Sequence, residues 1–434
     1  MDFSRSRELQ KRLERLIPGG SHTYAKGADQ FPELSPAVMA RGSGCRVWDV
    51  DGNEFIEYGM GLRAVTLGHA YPAVVEAVRE SLSLGTNFTR PAAIELECAE
   101  LFLSIIEGAE MVKFTKDGST ANTAALRLAR AYTGRDMVAV CAEHPFFSYD
   151  DWFFCTTTMD GGIPQLNNPL TVRFHYNKPE TLRALFAEHP GRIAAVFLEP
   201  ARTEEPAEGF LETVKQLCRE NGAVLIFDEM ITGFRWHLRG AQKVYGVVPD
   251  LSTFGKAVAN GFSLSILCGN RDIMRLGSRE RDQDNVFLLS TTHGAEIPSL
   301  AAGIRTMQIY RSEPVIEHLY RQGERLAAGF RAAIAGHHLE GYVDVAGRPC
   351  NLLFGTRGPD KRPSQAYRSL FLQEMIRRGV LMPSLVVSYS HTDADIDRTV
   401  EAVDGALAIY VRALEDGPEK YLVGRPSRMV FDRR

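Results

Sequence analysis

The sequence predicts an α/β protein whose large domain holds a parallel β-sheet between helices and whose smaller α+β domain is built from both chain ends. From about residue 110, short strands that are apolar along their whole length alternate with helical segments. This pattern is typical of a parallel sheet covered on both faces. The 434 residues exceed one ordinary domain. We expect an N-terminal segment over residues 1–65, a large domain over 66–315 and a C-terminal small domain over 316–434.

The elements follow in order from local patterns. Leucine and isoleucine recur at helical spacing over residues 4–17, and Pro18 with two glycines ends that helix. An Asp-Gly-Asn turn at residues 51–53 predicts a hairpin over residues 45–58. We expect large-domain strands over 111–115, 137–142, 193–198, 224–227 and 251–254, with helices over 120–133 and 211–221, and C-terminal helices over 315–334 and 393–415.

Charge and cysteine usage exclude several classes of protein. The 50 basic and 54 acidic residues give a net charge of −4, so we expect neither nucleic acid nor a membrane as a partner. The seven cysteines are scattered and form no C-x-x-C pair, which argues against disulfides and against a metal site. The N-terminal residues are charged, so we expect no signal peptide there. We therefore expect a cytoplasmic protein.

Two of the predicted strands lead into residues that can carry chemistry. Strand 224–227 ends in Asp228, a carboxylate that is costly to bury unless a cation or donors meet it. Strand 251–254 leads through Gly255 into Lys256. The carboxyl ends of parallel strands form the edge where ligands bind. Asp228 is either a cap or a carboxylate aimed at a cationic ligand. Lys256 is either a solvated side chain or a desolvated amine suited to Schiff-base chemistry.

A third candidate element precedes the helix predicted over 120–133. Gly118 permits close approach of a ligand, Ser119 and Thr120 carry hydroxyls, and the helix start offers free N–H groups. The segment is either an ordinary helix cap or a phosphate cup. A phosphate cup, a carboxylate and a lysine together describe pyridoxal 5′-phosphate (PLP). Its phosphate needs donors, its ring nitrogen a carboxylate and its aldehyde a lysine.

The residues that carry these features resemble the class III aminotransferases, and within them the glutamate-1-semialdehyde 2,1-aminomutase branch. The likeness extends over nearly the whole chain, and its most specific part is the block from Asp228 to Lys256. Matching segments are Leu225 to Arg235, Pro249 to Lys256, Ile17 to Gly20, Asp49 to Asn53, Leu67 to Ala70, Arg127 to Arg130 and Glu199-Pro200.

The resemblance implies a fold-type I PLP enzyme with a mostly parallel seven-stranded sheet, active as a homodimer with sites at the subunit interface. Lys256 would form the internal aldimine and move protons, and Asp228 would pair with the pyridine nitrogen. Gly118, Ser119 and Thr120 would hold the phosphate. The resemblance also assigns cofactor contacts to three further places: Phe146 would stack on the ring, Thr291 or Thr292 would reach the phosphate of the neighbouring subunit, and Glu199 would orient the cofactor edge or a nearby cation.

The sequence departs from the family pattern near the expected cofactor. The usual Ser-Gly-Thr-Glu is Asp117-Gly118-Ser119-Thr120 here, and the usual Tyr-His-Gly is Phe146-Phe147-Ser148. The segment after the inter-subunit threonines and the lid over residues 155–168 are altered as well. Arg235 is expected either to bind a substrate carboxylate or to form an interface salt bridge.

The predicted function is amino transfer between a small-molecule amino donor and a carbonyl acceptor. The alternative within the family is an intramolecular 2,1-aminomutase, and a further one is PLP chemistry that ends in elimination or carbon–carbon bond formation. A nucleotide-binding or non-catalytic protein on an α/β sheet is the alternative from another class. It has little support because the sequence contains neither G-x-G-x-x-G after the first strand nor a P-loop motif.

Overall fold

The computed structural model describes residues 1–279 and 286–428. The chain forms two compact units, one from residues 1–71 with 317–434 and the other from residues 72–316. Within the described ranges, no helix combines the length and the apolar character needed to cross a membrane.

The unit built from both chain ends contains a small mixed sheet and several helices. Its N-terminal elements are α1 (Ser4–Leu16), β1 (Met39–Ser43), β2 (Arg46–Asp49), β3 (Glu54–Glu57) and the short α2 (Met60–Arg63). Most of the helix over Val315–Gly336 also belongs to this unit. The elements that follow it are a β-pair over Val343–Ala346 and Leu353–Thr356, a helix over Gln365–Arg377, a strand over Val380–Leu381 and a helix over Asp393–Asp416.

The predicted hairpin is confirmed, because β2 and β3 pair antiparallel. The Asp49 side chain accepts hydrogen bonds from the backbone N–H groups of Asp51 and Asn53, and Gly52 takes the positive φ of +90° that the turn requires. Local turn chemistry therefore fixes the register of this pair.

The second unit carries a seven-stranded sheet between helices. Its strands are β4 (Met111–Thr115), β5 (Met137–Cys141), β6 (Thr171–Phe174), β7 (Ile193–Leu198), β8 (Val224–Asp228), β9 (Leu251–Phe254) and β10 (Ser265–Gly269). Its helices are α3 (Pro72–Leu82), α4 (Ala93–Ile105), α5 (Gly118–Thr133), α6 (Asp151–Phe154), α7 (Pro179–Glu188), α8 (Phe210–Asn221), α9 (Ala241–Tyr245), α10 (Arg271–Met274) and α11 (Ile297–Ser312).

The strand order is β4-β10-β9-β8-β7-β5-β6. All pairs are parallel except those of β10, which runs antiparallel to both of its neighbours. Strands β5, β7, β8 and β9 are buried at every position, as their continuous apolar runs predict. The predicted α/β class with a mostly parallel seven-stranded sheet is confirmed.

Two strands of the large sheet and several of its helices are absent from the sequence prediction, and one predicted helix begins earlier than expected. The prediction missed β10 and also β6, a four-residue strand at the sheet edge that is buried at its two end positions and not at its two middle positions. Helix α5 begins at Gly118, two residues earlier than predicted, because the Asp117 side chain caps it by accepting a hydrogen bond from the Thr120 N–H. Gly134, with a φ of +66°, ends the same helix.

Candidate active site

Four neighbouring parallel strands end at the same edge of the large sheet. In the sheet register, Val140 of β5 lies beside Phe197 of β7, and Leu198 of β7 lies beside Phe227 of β8. Asp228 lies beside Thr253 of β9. The residues that follow these strands are therefore close together at the carboxyl edge, where open α/β sheets bind ligands.

Asp228 is the last residue of β8 and is 4% exposed. One carboxylate oxygen, Oδ1, accepts the Met230 N–H at 2.9 Å, and the other, Oδ2, accepts the Asn122 Nδ2 amide at 2.8 Å. Burial raises the pKa of Asp228, and the positive charge of Lys256 is the largest effect that opposes this rise. The carboxylate is thus held in one orientation, with lone pairs left on both oxygens for a further donor.

Asn122 is a site residue that sequence reasoning missed. It lies one turn into α5, is buried, and its Nδ2 also donates to the Phe147 carbonyl at 2.7 Å. Its Oδ1 accepts the Thr253 hydroxyl at 2.6 Å. Because every polar atom of the amide is in use, its orientation is fixed, and it fixes Asp228 in turn. The signal in the sequence is a lone amide on the alanine-rich face of this helix.

Lys256 follows β9 and opens a single-turn 3₁₀ helix over Lys256–Ala259. Its φ is +44°, in the left-handed region that side-chain-bearing residues rarely adopt. Backbone strain of this kind costs about 1–3 kcal/mol and is concentrated at functional sites. The side chain is partly buried, and its charge acts on Asp228. The predicted lysine and carboxylate therefore belong to one site.

Two glycines let the three candidate segments meet around Met230. A Cβ atom on Gly118, at the start of α5, would lie 2.9 Å from the Met230 sulfur. A Cβ on Gly255, directly before Lys256, would lie 2.6 Å from the same atom. Both distances are shorter than real Cβ contacts, so a side chain at either position would push these segments apart. The predicted phosphate cup, the strand-end carboxylate and the lysine are packed together as a result.

At the start of α5, Asp117 engages Thr120 twice. The carboxylate accepts the Thr120 N–H at 2.8 Å and the Thr120 hydroxyl at 3.0 Å. The Ser119 hydroxyl is buried and accepts the Tyr149 N–H at 3.2 Å. The first N–H groups of a helix have no partner within the helix. With Thr120 engaged, the donors of Gly118 and Ser119 are the ones suited to an anion.

Phe146 and Phe147 differ sharply in exposure. Phe146 is 43% exposed and touches Phe153 and Phe154 edge-on, with ring centroids 6.2 and 6.0 Å away. Phe147 is 1% exposed and packs against Phe153 and Phe197. Of the two rings, only Phe146 has surface available for stacking on a ligand.

Glu199 follows β7 and lies in a cluster with two residues that sequence reasoning missed. The Glu199 N–H donates to His144 Nδ1 at 3.0 Å, and Arg202 Nε lies 3.5 Å from Glu199 Oε1. Burial, with the Arg202 charge as the second cause, lowers the pKa of His144 to about 3, so the imidazole is neutral at neutral pH. Both missed residues come within four positions of a strand end, which is the signal that could have found them.

Thr291 and Thr292 are exposed and precede α11. The Thr292 carbonyl accepts the Asn87 side-chain amide at 2.8 Å, so this segment is tied to the region before α4. Exposure leaves both threonines open to contact from another molecule. Arg235, by contrast, is fully buried in the large unit. This burial supports neither of the two roles considered for Arg235, which stay predictions.

The residues present fit PLP. A helix N-terminus with unused N–H donors suits its phosphate. A buried carboxylate, already fixed by two donors, suits its ring nitrogen, and a partly buried lysine suits its aldehyde. The close packing at Gly118 and Gly255 brings these groups within the span of one small molecule.

Comparisons with known proteins give a consistent result. The sequence pattern of the family described as aminotransferase class-III matches residues 24–406. The chain is 32% identical over 431 residues to the glutamate-1-semialdehyde 2,1-aminomutase of Geotalea daltonii, covering 93% of this chain and 99% of that protein.

Solved structures agree. The FumI protein of Sphingopyxis sp. MTA144 in its PLP internal aldimine form is 29% identical with a TM-score of 0.88, covering 97% of this chain and 100% of that one. A transaminase with PLP bound is 25% identical with a TM-score of 0.86, covering 96% and 99% of the two chains.

Proposed function

We propose that the protein transfers an amino group from an amino donor to a carbonyl acceptor, with Lys256 as the covalent anchor of the cofactor. This proposal starts from the family: the chain belongs to the class III aminotransferases and is a PLP-dependent enzyme. The observation that carries this assignment is the placement of Lys256 beside Asp228, whose carboxylate Asn122 and Met230 hold in one orientation. PLP supplies a cationic ring that withdraws electrons from the substrate carbon.

Asp228 would keep that ring protonated. Its two protein donors stabilise the carboxylate form against the cost of burial, and they leave it directed at one point along the sheet edge. As a free amine, Lys256 would remove a proton from the substrate α-carbon and deliver a proton to the acceptor carbon.

The remaining predicted residues hold the cofactor. Gly118 and Ser119 donate backbone N–H groups to the phosphate at the positive end of α5. Binding by Thr120 requires its cap on Asp117 to open. Phe146 stacks on the ring through its exposed face. Glu199 orients the cofactor edge through the cation of Arg202.

We further propose a homodimer in which Thr291 or Thr292 reaches the phosphate site of the partner subunit, which their exposure permits. All seven cysteines are free and buried, which supports a reducing compartment such as the cytoplasm.

The direct test reduces the holoenzyme with borohydride and maps the labelled peptide by mass spectrometry. We expect the label on Lys256. Lys256→Ala should bind the cofactor without a covalent bond and lose turnover, whereas Lys243→Ala, which removes an exposed lysine of the same unit, should retain both. A label on another lysine, or near-normal turnover of Lys256→Ala, would contradict the assignment.

A second candidate function is an intramolecular 2,1-aminomutase, which the name of the 32% identical relative favours. Single-turnover product analysis separates the two. An aminotransferase consumes an external amino donor and releases an oxo product in equal amount, whereas an aminomutase needs no donor. Elimination would instead release ammonia. We expect conversion of the cofactor to its amine form by at least one added amino donor.

A further inference from the structure

Arg202 lies in the middle of the carboxyl edge of the large sheet. It comes four residues after the end of β7, and β7 lies between β5 and β8 in the strand order. Its positive charge lowers the pKa of His144, which follows β5, and opposes the raised pKa of Asp228, which ends β8. The guanidinium is therefore close to the residues that follow both neighbouring strands.

The environment of Arg202 differs from that of its neighbours. Asp228, His144 and Glu199 are 4–5% exposed, whereas the Arg202 side chain is 31% exposed. A guanidinium carries five N–H donors, and the contact with Glu199 engages Nε at 3.5 Å. This separation is longer than the roughly 2.7–2.9 Å of a charge-assisted hydrogen bond. The terminal N–H groups can thus meet a ligand from solvent.

We propose that Arg202 is a specificity-determining residue that binds the carboxylate of an amino acid or oxo acid substrate. This inference rests on the proposed aminotransferase function, because Asp228 and Lys256 define where the reaction occurs. A planar guanidinium matches a carboxylate with two parallel hydrogen bonds. The Glu199 carboxylate lies beside Arg202 Nε at the sheet edge. It therefore competes weakly with a substrate carboxylate for the guanidinium.

The alternative is a structural role in which Arg202 only neutralises the buried Glu199. A structural counterion would change protein stability and would affect all substrates equally. A carboxylate-binding residue changes the preference between charged and neutral substrates. The selectivity ratio, kcat/KM for a carboxylate-bearing donor divided by kcat/KM for a neutral amine, distinguishes the two roles.

The experiment uses holoenzyme and compares L-alanine, L-glutamate and 1-phenylethylamine as donors for Arg202→Gln, Arg202→Lys and Arg219→Gln. Arg219→Gln removes the same charge from an exposed position on α8. For Arg202→Gln we expect the ratio to fall about 30- to 300-fold through a higher KM, with partial recovery in Arg202→Lys and no change in Arg219→Gln. Glu199→Gln should lower the KM for the charged donors.

Binding without turnover gives a second measurement. Glutarate titrated into the holoenzyme should perturb the visible absorbance of the cofactor, and Arg202→Gln should weaken the apparent affinity by at least ten-fold. An unchanged ratio with unchanged glutarate affinity would overturn the proposal, as would an equal loss for every donor together with a lower melting temperature. Failure of the proposed function itself is distinguishable, because the wild-type protein would then lack the reducible cofactor band at Lys256.

Discussion

Around Asp228 the hydrogen-bond donors come from segments that are far apart in the sequence, whereas at the start of α5 they come from one turn of one helix. The ring end of the site, formed by Asp228, Asn122 and Thr253, is almost completely buried and each of its polar groups is engaged. The phosphate end, formed by residues 117–120, is half-buried, and its own carboxylate occupies part of it.

This difference separates two kinds of preorganisation. The ring end fixes a charge before the cofactor arrives, so its contribution is electrostatic and depends on exclusion of water. The phosphate end offers backbone N–H groups, which need no side chain but which any nearby anion can compete for. Substitutions at the ring end should therefore change the rate of reaction, and substitutions at the phosphate end should change cofactor affinity.

The largest effect is expected at Asp228. Asp228→Asn keeps the shape of the side chain but removes the charge that we propose holds the ring nitrogen protonated. We expect turnover to fall by about 10²- to 10³-fold, while cofactor retention after gel filtration changes much less. Steady-state kinetics and the absorbance of the retained cofactor measure the two effects. A large loss of bound cofactor with little change in turnover per bound cofactor would reverse the assignment of the two ends.

Asn122→Ala tests whether the ring end depends on its positioning amide. Removing a hydrogen bond to a charged group costs about 1.5–3 kcal/mol, so we expect turnover to fall roughly 10- to 100-fold. The acidic limb of the pH–rate profile should also move to higher pH, because Asp228 loses a donor that lowers its pKa. Thr123→Ala, one position along the same helix, is a control for damage to α5. Equal losses in both variants would show that Asn122 acts only through helix packing.

The sequence predicts some residues of the site and not others. Asp228 and Lys256 could be predicted because the first ends an apolar strand and the second lies two residues after one, and parallel strands bring such residues to one edge. Asn122 could not be found in this way, because its role depends on which face of α5 packs on the sheet and on the distant Thr253. His144 and Arg202 belong to loops whose paths follow from tertiary packing, and the full burial of Arg235 was likewise not evident from its neighbours in the sequence.

The buried imidazole of His144 gives a pH-dependent prediction for the apoenzyme. Its pKa in the folded protein is about 3, against an ordinary value of 6.5, so the unfolded chain binds a proton that the folded protein does not. The stability that the neutral imidazole contributes is therefore fully present above pH 6.5 and is lost as the pH falls toward 3. At pH 5 this amounts to about 2 kcal/mol.

His144→Asn removes this proton-binding group while keeping an acceptor for the Glu199 N–H. Between pH 7.5 and pH 5, we expect the free energy of unfolding in urea to fall by about 2 kcal/mol less in this variant than in wild type. His338→Asn, which replaces an exposed histidine of the other unit, is the matched control. If wild type and His144→Asn lose stability in parallel, the imidazole takes up a proton in the folded protein as readily as in the unfolded chain, and its assignment as a buried neutral group beside Glu199 is wrong.

The smallest effect is expected at Asp117, whose negative charge lies at the phosphate end and opposes the binding of a negatively charged phosphate. The carboxylate lies at the position where a dianionic phosphate would meet the first N–H groups of α5, and two charges about 4–6 Å apart near a protein surface repel by a few kcal/mol before screening by salt. Asp117→Asn and Asp117→Ser both retain a cap for the Thr120 N–H and remove the charge. We expect each to bind PLP about ten-fold more tightly, measured by fluorescence titration of the apoenzyme, and to reduce the gain in affinity that added salt gives the wild type. Weaker binding in both variants would mean that the carboxylate assists the phosphate end, for example by holding Gly118 and Ser119 in place, and that the contrast between the two ends lies in burial alone.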